Sequence, residues 1–171
     1  MKRNLPPGVE PETPGPGQES VWDYPRPPLL ESSTKRAVVR FGESVVADSR
    51  GPWRVLETSH PPTWYIPRSD VDSSRIRRSA ARSTMCEWKG AATYWDIVGD
   101  DGSVLEAGGW SYESPTAPFR DIAGALSFSP AQLTCELAGE TALAQEGGFY
   151  AGWITSDVVG PFKGIPGSWG W

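Results

Sequence analysis

Two runs of apolar-rich residues joined by Gly42-Glu43 constrain the fold of this chain more than any other feature. The runs are AVVRF, residues 37–41, and SVVADS, residues 44–49. β-Branched side chains favour strands, and glycine readily adopts the positive φ that a tight turn requires. The segment therefore predicts an antiparallel hairpin. The string TCELAGETALAQ repeats this arrangement around Gly139-Glu140 and predicts a similar unit that packs against the first.

Strand patterns continue through most of the chain. WRVLET, residues 53–58, is a predicted strand that ends before Pro61-Pro62, and TMCEWKG with ATYWDIV, residues 84–98, is a predicted strand pair. GGFYAGWIT is a predicted final strand. One helix is expected over Phe119–Leu126, where apolar residues recur at the spacing of one helical face. The fold class is therefore expected to be mainly β with one short helix.

The two ends differ in composition from the middle of the chain. Residues 1–19 are rich in Pro, Gly and Glu and poor in apolar side chains, so a disordered tail is predicted. SVWDYPRPP, residues 20–28, alternates aromatic residues with prolines and predicts an extended arm laid across the folded surface. Residues 165–171 are predicted to form a loose C-terminal tail. A single domain is expected over residues 20–164.

Charge and hydropathy exclude several classes of protein. The formal net charge of −5 argues against non-specific nucleic-acid binding, which needs a broad positive surface. No apolar run follows the basic start, and no stretch of about twenty apolar residues exists, so neither a signal peptide nor a membrane span is predicted. We expect a cytoplasmic protein with no membrane partner and no nucleic-acid partner.

Cysteine and histidine are scarce in this sequence. Cys86, Cys135 and the single histidine, His60, fall short of the four ligands of a structural zinc site unless carboxylates join them. We expect reduced thiols, no metal site and no cofactor. Cys86 is a candidate nucleophile if His60 lies beside it and activates it. The alternative is a small buried apolar group. Cys135 is expected on an outward-facing hairpin without a role.

The segment TMCEWKG carries the predicted acid–base chemistry. If it is extended, Glu87 and Lys89 share one face and Cys86 and Trp88 share the other. Glu87 would then act as a general acid or base, while Lys89 and His60 orient or neutralise a polar ligand. The alternative is an exposed ion pair of little energetic value.

Aromatic and polar residues predict a pocket between two sheets. His60 follows a strand and precedes two prolines that fix the backbone, while Trp and Tyr side chains supply walls. Glycines beside these aromatics indicate close approach of a ligand or of another backbone. The alternative is a packed core. The predicted ligand-binding residues are Glu57, Thr58, Tyr65, Trp88, Tyr94, Trp110, Tyr112 and Tyr150.

A polar loop is predicted over residues 69–83. It carries Arg75, Arg77, Arg78 and Arg82 and has no clear apolar period. Guanidinium groups match phosphate geometry, so the loop is a candidate phosphate site. The alternative is a solvated surface.

Several strings in the sequence together resemble one known family. They are VWDYPRPP, RVLETSHPPTWYIP, CEWKGAATYW, GGWSYESP and GGFYAGWITSDVVGPFKG, in order from residue 21 to residue 164. They are similar to a bacterial and fungal domain of unknown function labelled nucleotidyltransferase-like. The resemblance implies a β-tent fold, two antiparallel sheets leaning on one another, as in methionine sulfoxide reductases of the selenoprotein R type. The four-cysteine zinc of many tent proteins is not implied, because this chain lacks those cysteines.

The sequence therefore predicts a protein that binds a small polar metabolite in an aromatic pocket between sheets, and in one version transforms it. A second interpretation is a protein-interaction or homodimerisation module that uses the aromatic arm. A third is the nucleotidyltransferase of the family label, which needs a nucleotide and magnesium. No Gly-Ser pair followed by paired aspartates, the pattern that holds two magnesium ions, supports that label.

Overall fold

The structure, a computed structural model, describes residues 4–171. Short strands dominate it, and its helical segments are single turns or little more. The 3₁₀ helices are Val21–Asp23, Arg68–Asp70, Ser73–Arg75 and Ala117–Ile122. The strands are β1 (Glu19–Ser20), β2 (Leu29–Ser32), β3 (Ala37–Phe41), β4 (Ser44–Ser49), β5 (Trp53–Leu56), β6 (Thr63–Ile66), β7 (Ile76–Arg78), β8 (Thr84–Cys86), β9 (Gly90–Val98), β10 (Val104–Ser111), β11 (Leu126–Phe128), β12 (Thr134–Leu137), β13 (Glu140–Thr141), β14 (Leu143–Ala144), β15 (Trp153–Ile154) and β16 (Val158–Val159).

Two antiparallel sheets form the body of the molecule. The larger has the strand order β2-β5-β6-β11-β10-β9-β7, with β8 paired to the remaining part of β9. The smaller has the order β13-β12-β3-β4. The predicted fold class, a mainly β chain with a pair of antiparallel sheets and short helical structure, is confirmed. In the described residues no helix is long and apolar enough to cross a membrane.

The hydrophobic core lies between these two sheets. Strand alternation sends every second side chain of β6 into it, so Trp64 and Ile66 point to the core while Tyr65 points to the opposite face. Cys135 is also fully buried there, which corrects the outward-facing hairpin expected for it. The reason is that β12 is a central strand of the smaller sheet. Burial raises the pKa of the Cys135 thiol to about 12.

The two similar hairpins are both present, but their relation differs from the prediction. Gly42 (φ 58°) turns β3 into β4, and Gly139 (φ 81°) turns β12 into β13. The hairpins do not pack face to face. Instead, β3 and β12 pair antiparallel, with Val39 opposite Cys135, so that the two hairpins share one four-stranded sheet.

The predicted helix over residues 119–126 is shorter and tighter than expected. It is a 3₁₀ helix over Ala117–Ile122, and it ends because Ala123 is non-helical and Gly124 has φ 74°. Leu126 already belongs to β11. The apolar spacing correctly marked buried residues, since Phe119 and Ile122 lie against the outer face of the larger sheet.

Both ends of the described chain contact one apolar cluster. Strand β1 pairs in parallel with β16, and the N–H of Glu12 donates to the carbonyl of Gly160 (2.9 Å). This differs from the disordered tail predicted for residues 1–19, of which residues 1–3 lie outside the described residues. The cluster consists of Val9, Val21, Trp22, Tyr24, Leu56 and Val158, with Leu5, Phe162 and Trp171 packed against it.

Candidate functional site

His60 lies in a short turn between β5 and β6. Its N–H donates to the carbonyl of Glu57 (3.0 Å), and the residue before it, Ser59, has φ 73°, which is uncommon for a residue other than glycine. Ser59 is fully buried, and its Oγ has no hydrogen-bond partner among residues 4–171. Strained backbone and unpaired buried groups cluster at functional sites, so this turn is the first candidate.

Segments from both ends of the chain hold this turn. The N–H of Ser59 donates to the carbonyl of Val21 (3.0 Å), and the N–H of Lys163 donates to the carbonyl of Ser59 (2.8 Å). The hydroxyl of Thr58 donates to the carbonyl of Tyr24 (2.6 Å). The hydroxyl donor of Thr58, a predicted ligand-binding residue, is therefore already used by a backbone carbonyl.

The tautomer of His60 follows from the buried side chain of Gln145. The N–H of Gly152 donates to Gln145 Oε1 (3.1 Å), and Gln145 Nε2 donates to the carbonyl of Lys163 (2.7 Å), which together set the orientation of the amide. Gln145 Nε2 then lies 3.2 Å from His60 Nδ1, which accepts. The ring proton is therefore on Nε2, 3.3 Å from Oε2 of Glu57.

His60 is neutral at pH 7. Its pKa is lowered to about 4, first by burial of the ring and then by the charges of Lys163, Arg26 and Lys89. The nearby Glu57 carboxylate favours the protonated ring, but it is one anion against three cations, and the imidazole is only 14% exposed. Burial and the cations prevail, so the Nε2–H group is a hydrogen-bond donor rather than an acid.

Titration of His60 is expected to have its midpoint near pH 4. Because the folded pKa lies below the unfolded value of about 6.5, the unfolded chain takes up a proton first as the pH falls. The free energy of unfolding should therefore fall between about pH 6.5 and pH 4, by about 3 kcal/mol from this group. Nitrogen-15 NMR follows the single histidine directly, including its tautomer.

The matched variant is His60→Gln, which should lack this part of the pH dependence while retaining the contributions of the carboxylates. A histidine midpoint above pH 6, or a resonance of the Nδ1-protonated tautomer, would contradict the burial and the Gln145 contact on which the prediction depends.

Lys89 lies at the tip of the hairpin β8–β9. Glu87, Trp88 and Lys89 form the turn, so the strand alternation predicted for TMCEWKG stops at Cys86 and the predicted same-face pair of Glu87 and Lys89 is not formed. The turn is held by Thr116, whose N–H donates to the carbonyl of Lys89 (3.1 Å). Glu87 is exposed, whereas Lys89 Nζ lies 5.6 Å from the ring centroid of Tyr112.

Most predicted aromatic residues gather in one cluster, but not between the sheets. They lie on the outer face of the larger sheet, under the 3₁₀ helix Ala117–Ile122, because residues such as Tyr65 alternate with the core side chains of their strands. Burial raises the pKa values of Tyr65 and Tyr112, whose rings are 6.3 Å apart. The predicted residues in this cluster are Tyr65, Cys86, Trp88, Tyr94, Trp110 and Tyr112.

The predicted site residues thus fall into two groups. His60, Glu57 and Tyr150 form one group, with the rings of His60 and Tyr150 in an edge contact at 5.3 Å. The aromatic cluster forms the other, with Lys89 beside it, and the positive charge of Lys89 contributes to the lowered pKa of His60. The thiol of Cys86 interacts with the hydroxyl of Tyr112.

A family model described as a domain of unknown function (DUF427) matches residues 29–139. The chain belongs to the DUF427 family. The resemblance predicted from the sequence is thereby confirmed. No curated protein matches this DUF427 chain. The matched range contains Glu57, His60 and Lys89, whereas Gln145 and Lys163 come from the segment that follows it.

Three site residues of this DUF427 protein were missed by the sequence analysis: Arg26, Gln145 and Lys163. Arg26 was noted only as part of the aromatic arm, although its guanidinium lies 3.7 Å from Glu57. Gln145 and His60 are 85 residues apart, and no local pattern marks such a contact. Lys163, near the C-terminal end, likewise has no neighbouring sequence pattern that indicates a site.

Glycines of the DUF427 chain bring backbones together. A side chain on Gly152 would lie 2.5 Å from the Pro61 side chain, and one on Gly164 would overlap the carbonyl oxygen of Glu146. These contacts place the segment 145–153 against the His60 turn. Glycines beside aromatic residues were expected to mark close approach of a ligand or of another backbone. At Gly152 and Gly164 the close approach is that of another part of the chain.

The arginine-rich segment that was predicted to be a loop contains the 3₁₀ helix Ser73–Arg75 and strand β7 (Ile76–Arg78), and most of its guanidinium groups have a partner in this family member. Arg75 forms an ion pair with Asp100, and Arg77 Nε lies 3.5 Å from Asp96. The guanidinium of Arg78 lies 5.9 Å from the ring centroid of Trp95. These contacts support the alternative of a solvated surface over a phosphate site.

Two shallow grooves of the DUF427 fold lie elsewhere. One of about 300 Å³ includes Glu31, Lys35 and Arg54, and one of about 200 Å³ includes Lys35 and Asp157. No predicted site residue lines either groove. Across residues 4–171, no three His, Cys, Asp or Glu side chains are grouped to hold a metal ion.

Proposed function

We propose that the protein binds a small anionic metabolite at the face formed by His60, Arg26, Lys89 and Lys163. The observation that carries this proposal is that the charges of three cationic side chains act on one largely buried imidazole, and lower its pKa, in a protein whose net charge is −5. A local excess of positive charge on an acidic chain attracts and orients an anion.

The charge balance around His60 supports an anion in particular. Among residues 4–171, neither Lys89 nor Lys163 has an Asp or Glu carboxylate at ion-pair distance, and Lys163 Nζ instead donates to an oxygen of Trp171 (3.0 Å). Arg26 shares Glu57 with His60 at the long distance of 3.7 Å. A carboxylate or phosphate would supply the missing negative charge. The His60 Nε2–H group and the Arg26 guanidinium would supply charge-assisted hydrogen bonds.

Two tyrosine rings beside the cations support a ligand with an apolar part. Lys163 Nζ lies 6.0 Å from the ring centroid of Tyr150, and Lys89 Nζ lies 5.6 Å from that of Tyr112. Metabolite sites are usually lined by aromatic side chains with a few polar groups beside them. Glu87 has no part in the proposal, because its side chain is exposed in the hairpin turn.

The interaction module predicted from the aromatic arm stays a prediction. Trp22 and Tyr24 of the arm are buried against the chain itself, and the Trp22 ring lies 5.4 Å from that of Trp171. An arm occupied in this way has no aromatic surface to offer a partner, so ligand binding is the function that the geometry favours.

Ligand binding is tested by a thermal-shift screen that compares small carboxylates and phosphates with neutral sugars and alcohols. An anion at a hundredfold excess over its dissociation constant should add about 2.7 kcal/mol of stability. Arg26→Met and Lys89→Met should abolish the shift, whereas Arg36→Met, which removes a surface guanidinium paired with Asp48, should leave it intact.

Shifts of equal size for neutral and anionic compounds would contradict the proposal, as would anion binding that survives in Lys89→Met. The His60 resonance gives a second readout, since an anion beside Nε2 should raise the titration midpoint of the ring.

A further inference from the structure

Strands β7 and β8 together form one edge of the larger sheet. β7 pairs with residues 95–97 of β9, and β8 pairs with residues 90–92 of the same strand. No other strand of residues 4–171 pairs with β7 or β8, so both are open on the side away from β9. We call this open stretch, residues 76–86, the β7–β8 edge.

The backbone of β7 has unused hydrogen-bonding groups on the open side. The N–H of Ser79 donates to the carbonyl of Tyr94 (3.0 Å), so Ser79 faces β9, and so does Arg77 two residues earlier. The residues between them in an antiparallel pair point the other way, so the N–H and C=O groups of Ile76 and Arg78 point away from β9. An edge of this kind is a template for pairing with another strand.

The β7–β8 edge is basic although the whole chain is acidic. Residues 73–86 contain Arg75, Arg77, Arg78 and Arg82 and no aspartate or glutamate, whereas the net charge of the chain is −5. Among residues 4–171, neither Arg78 nor Arg82 has a carboxylate at ion-pair distance, and both residues are exposed. The edge therefore has positive charge that the rest of the described chain does not neutralise.

The exposed side chains of the edge are of types found in protein interfaces. The side chain of Arg77 is 60% exposed, and its Nε lies at the long distance of 3.5 Å from Asp96. Met85 of β8 is 77% exposed, although methionine is usually a buried residue. Arginine and methionine are both enriched in protein–protein interfaces, so the composition of the edge favours a protein partner.

We propose that the β7–β8 edge binds an extended acidic segment of a partner protein, which adds to the larger sheet as a further strand. The free backbone groups of Ile76 and Arg78 would pair with the backbone of the segment. Its carboxylates would pair with the guanidinium groups of Arg78 and Arg82. The anion site at His60 is not needed for this interaction.

Charge and hydrogen bonding favour this occupant of the edge over two others. A second copy that paired through β7 would bring the arginines of both strands together, and like charges across a strand pair are destabilising. A nucleic acid would neutralise the arginines, but it would not continue the main-chain hydrogen bonds of the sheet. An acidic strand satisfies both the backbone groups and the arginines.

The experiment titrates the full chain, at low ionic strength, with a short synthetic peptide in which glutamate alternates with valine. One control peptide has lysine in place of glutamate, and a second has every internal backbone amide N-methylated. We expect only the unmodified acidic peptide to bind, as measured by fluorescence anisotropy. With this peptide the amides of Ile76 and Arg78 should exchange several-fold more slowly in NMR hydrogen exchange. The amide of Ser79 should change little, because it already has a partner.

Charge reversal tests the role of the arginines. Arg78→Glu should weaken binding of the acidic peptide by about tenfold or more, because it places like charges in contact. Arg50→Glu is the matched control and should leave binding unchanged. Arg50 is also exposed and has no ion pair among the described residues, but it follows β4 of the smaller sheet. If Arg78→Glu lowers the thermal unfolding midpoint, Arg82→Glu replaces it, because Arg82 lies outside both strands of the edge.

Other results would contradict the addition of an acidic strand at the β7–β8 edge. Equal binding of the N-methylated and unmodified peptides would overturn the main-chain pairing. Loss of peptide binding in Arg26→Met would assign the peptide to the anion site instead. Slow exchange of Ile76 and Arg78 in a dimer without peptide would place a second copy on the edge. Failure of the acidic peptide to bind, or preferential binding of single-stranded DNA there, would likewise overturn the inference.

Discussion

Replacement of Trp153 by alanine is expected to lower the free energy of unfolding by about 3–5 kcal/mol. The side chain is fully buried in the core between the two sheets, and its ring centroid lies 6.2 Å from that of Trp64. Its Nε1–H group also donates to the carbonyl of Phe128 (2.9 Å). The substitution therefore leaves a large cavity and removes a buried donor, which urea denaturation monitored by circular dichroism measures.

Trp169→Ala is the matched control, because that ring is 81% exposed. Its effect should stay within about 0.5 kcal/mol, as for most surface substitutions. A Trp153→Ala variant that loses less than about 1 kcal/mol, below the range for a large side chain removed from a core, would show that the segment after residue 145 does not complete this core.

Replacement of Gly164 by alanine is the second change with a large expected effect. Gly164 has φ 119°, which residues with a side chain rarely adopt, and an added Cβ would overlap the carbonyl oxygen of Glu146. Gly167 is the matched control, since it has φ 85° but open space around the Cβ position. Gly167→Ala should cost about 1–2 kcal/mol for conformation alone.

Gly164→Ala should cost a further 1–3 kcal/mol or so, because the overlap forces the backbone at residue 146 to move. Gln145 is the adjacent residue, so the same movement should weaken its contact with His60 and raise the histidine midpoint from about 4 toward its ordinary value. Equal costs for the two glycine substitutions, measured by urea denaturation, would refute the close approach of the two backbones.

The fold class could be predicted because its signals are local. The turns at Gly42 and Gly139 depend on the φ of one residue, and the strands beside them depend on alternation over a few positions. The pairing of β3 with β12 could not be predicted in the same way. It joins residues far apart in the sequence, such as Val39 and Cys135, and the choice of partner depends on how the whole sheet assembles.

The candidate site shows the same difference between local features, which the sequence predicts, and long-range contacts, which it does not. Glu57 and His60 are neighbours in the sequence, so their cluster was visible as a motif. The strand assumed for TMCEWKG failed because pairing with Thr116, far along the chain, holds the residues after Cys86 in a turn. Long-range contacts also decided that the aromatic residues cover the outer face of the larger sheet, since alternation alone cannot say which face meets the second sheet.

The residues matched by the family model end before the residues that complete the hydrophobic core of this protein. The match ends at residue 139, yet Trp153 fills the core between the sheets. The strands that define the family therefore do not enclose their own interior in this chain, and a later segment closes it. Any relative that shares these strands but has a different continuation must seal the same opening with other residues. Comparison of such relatives would show how one scaffold is completed in different ways.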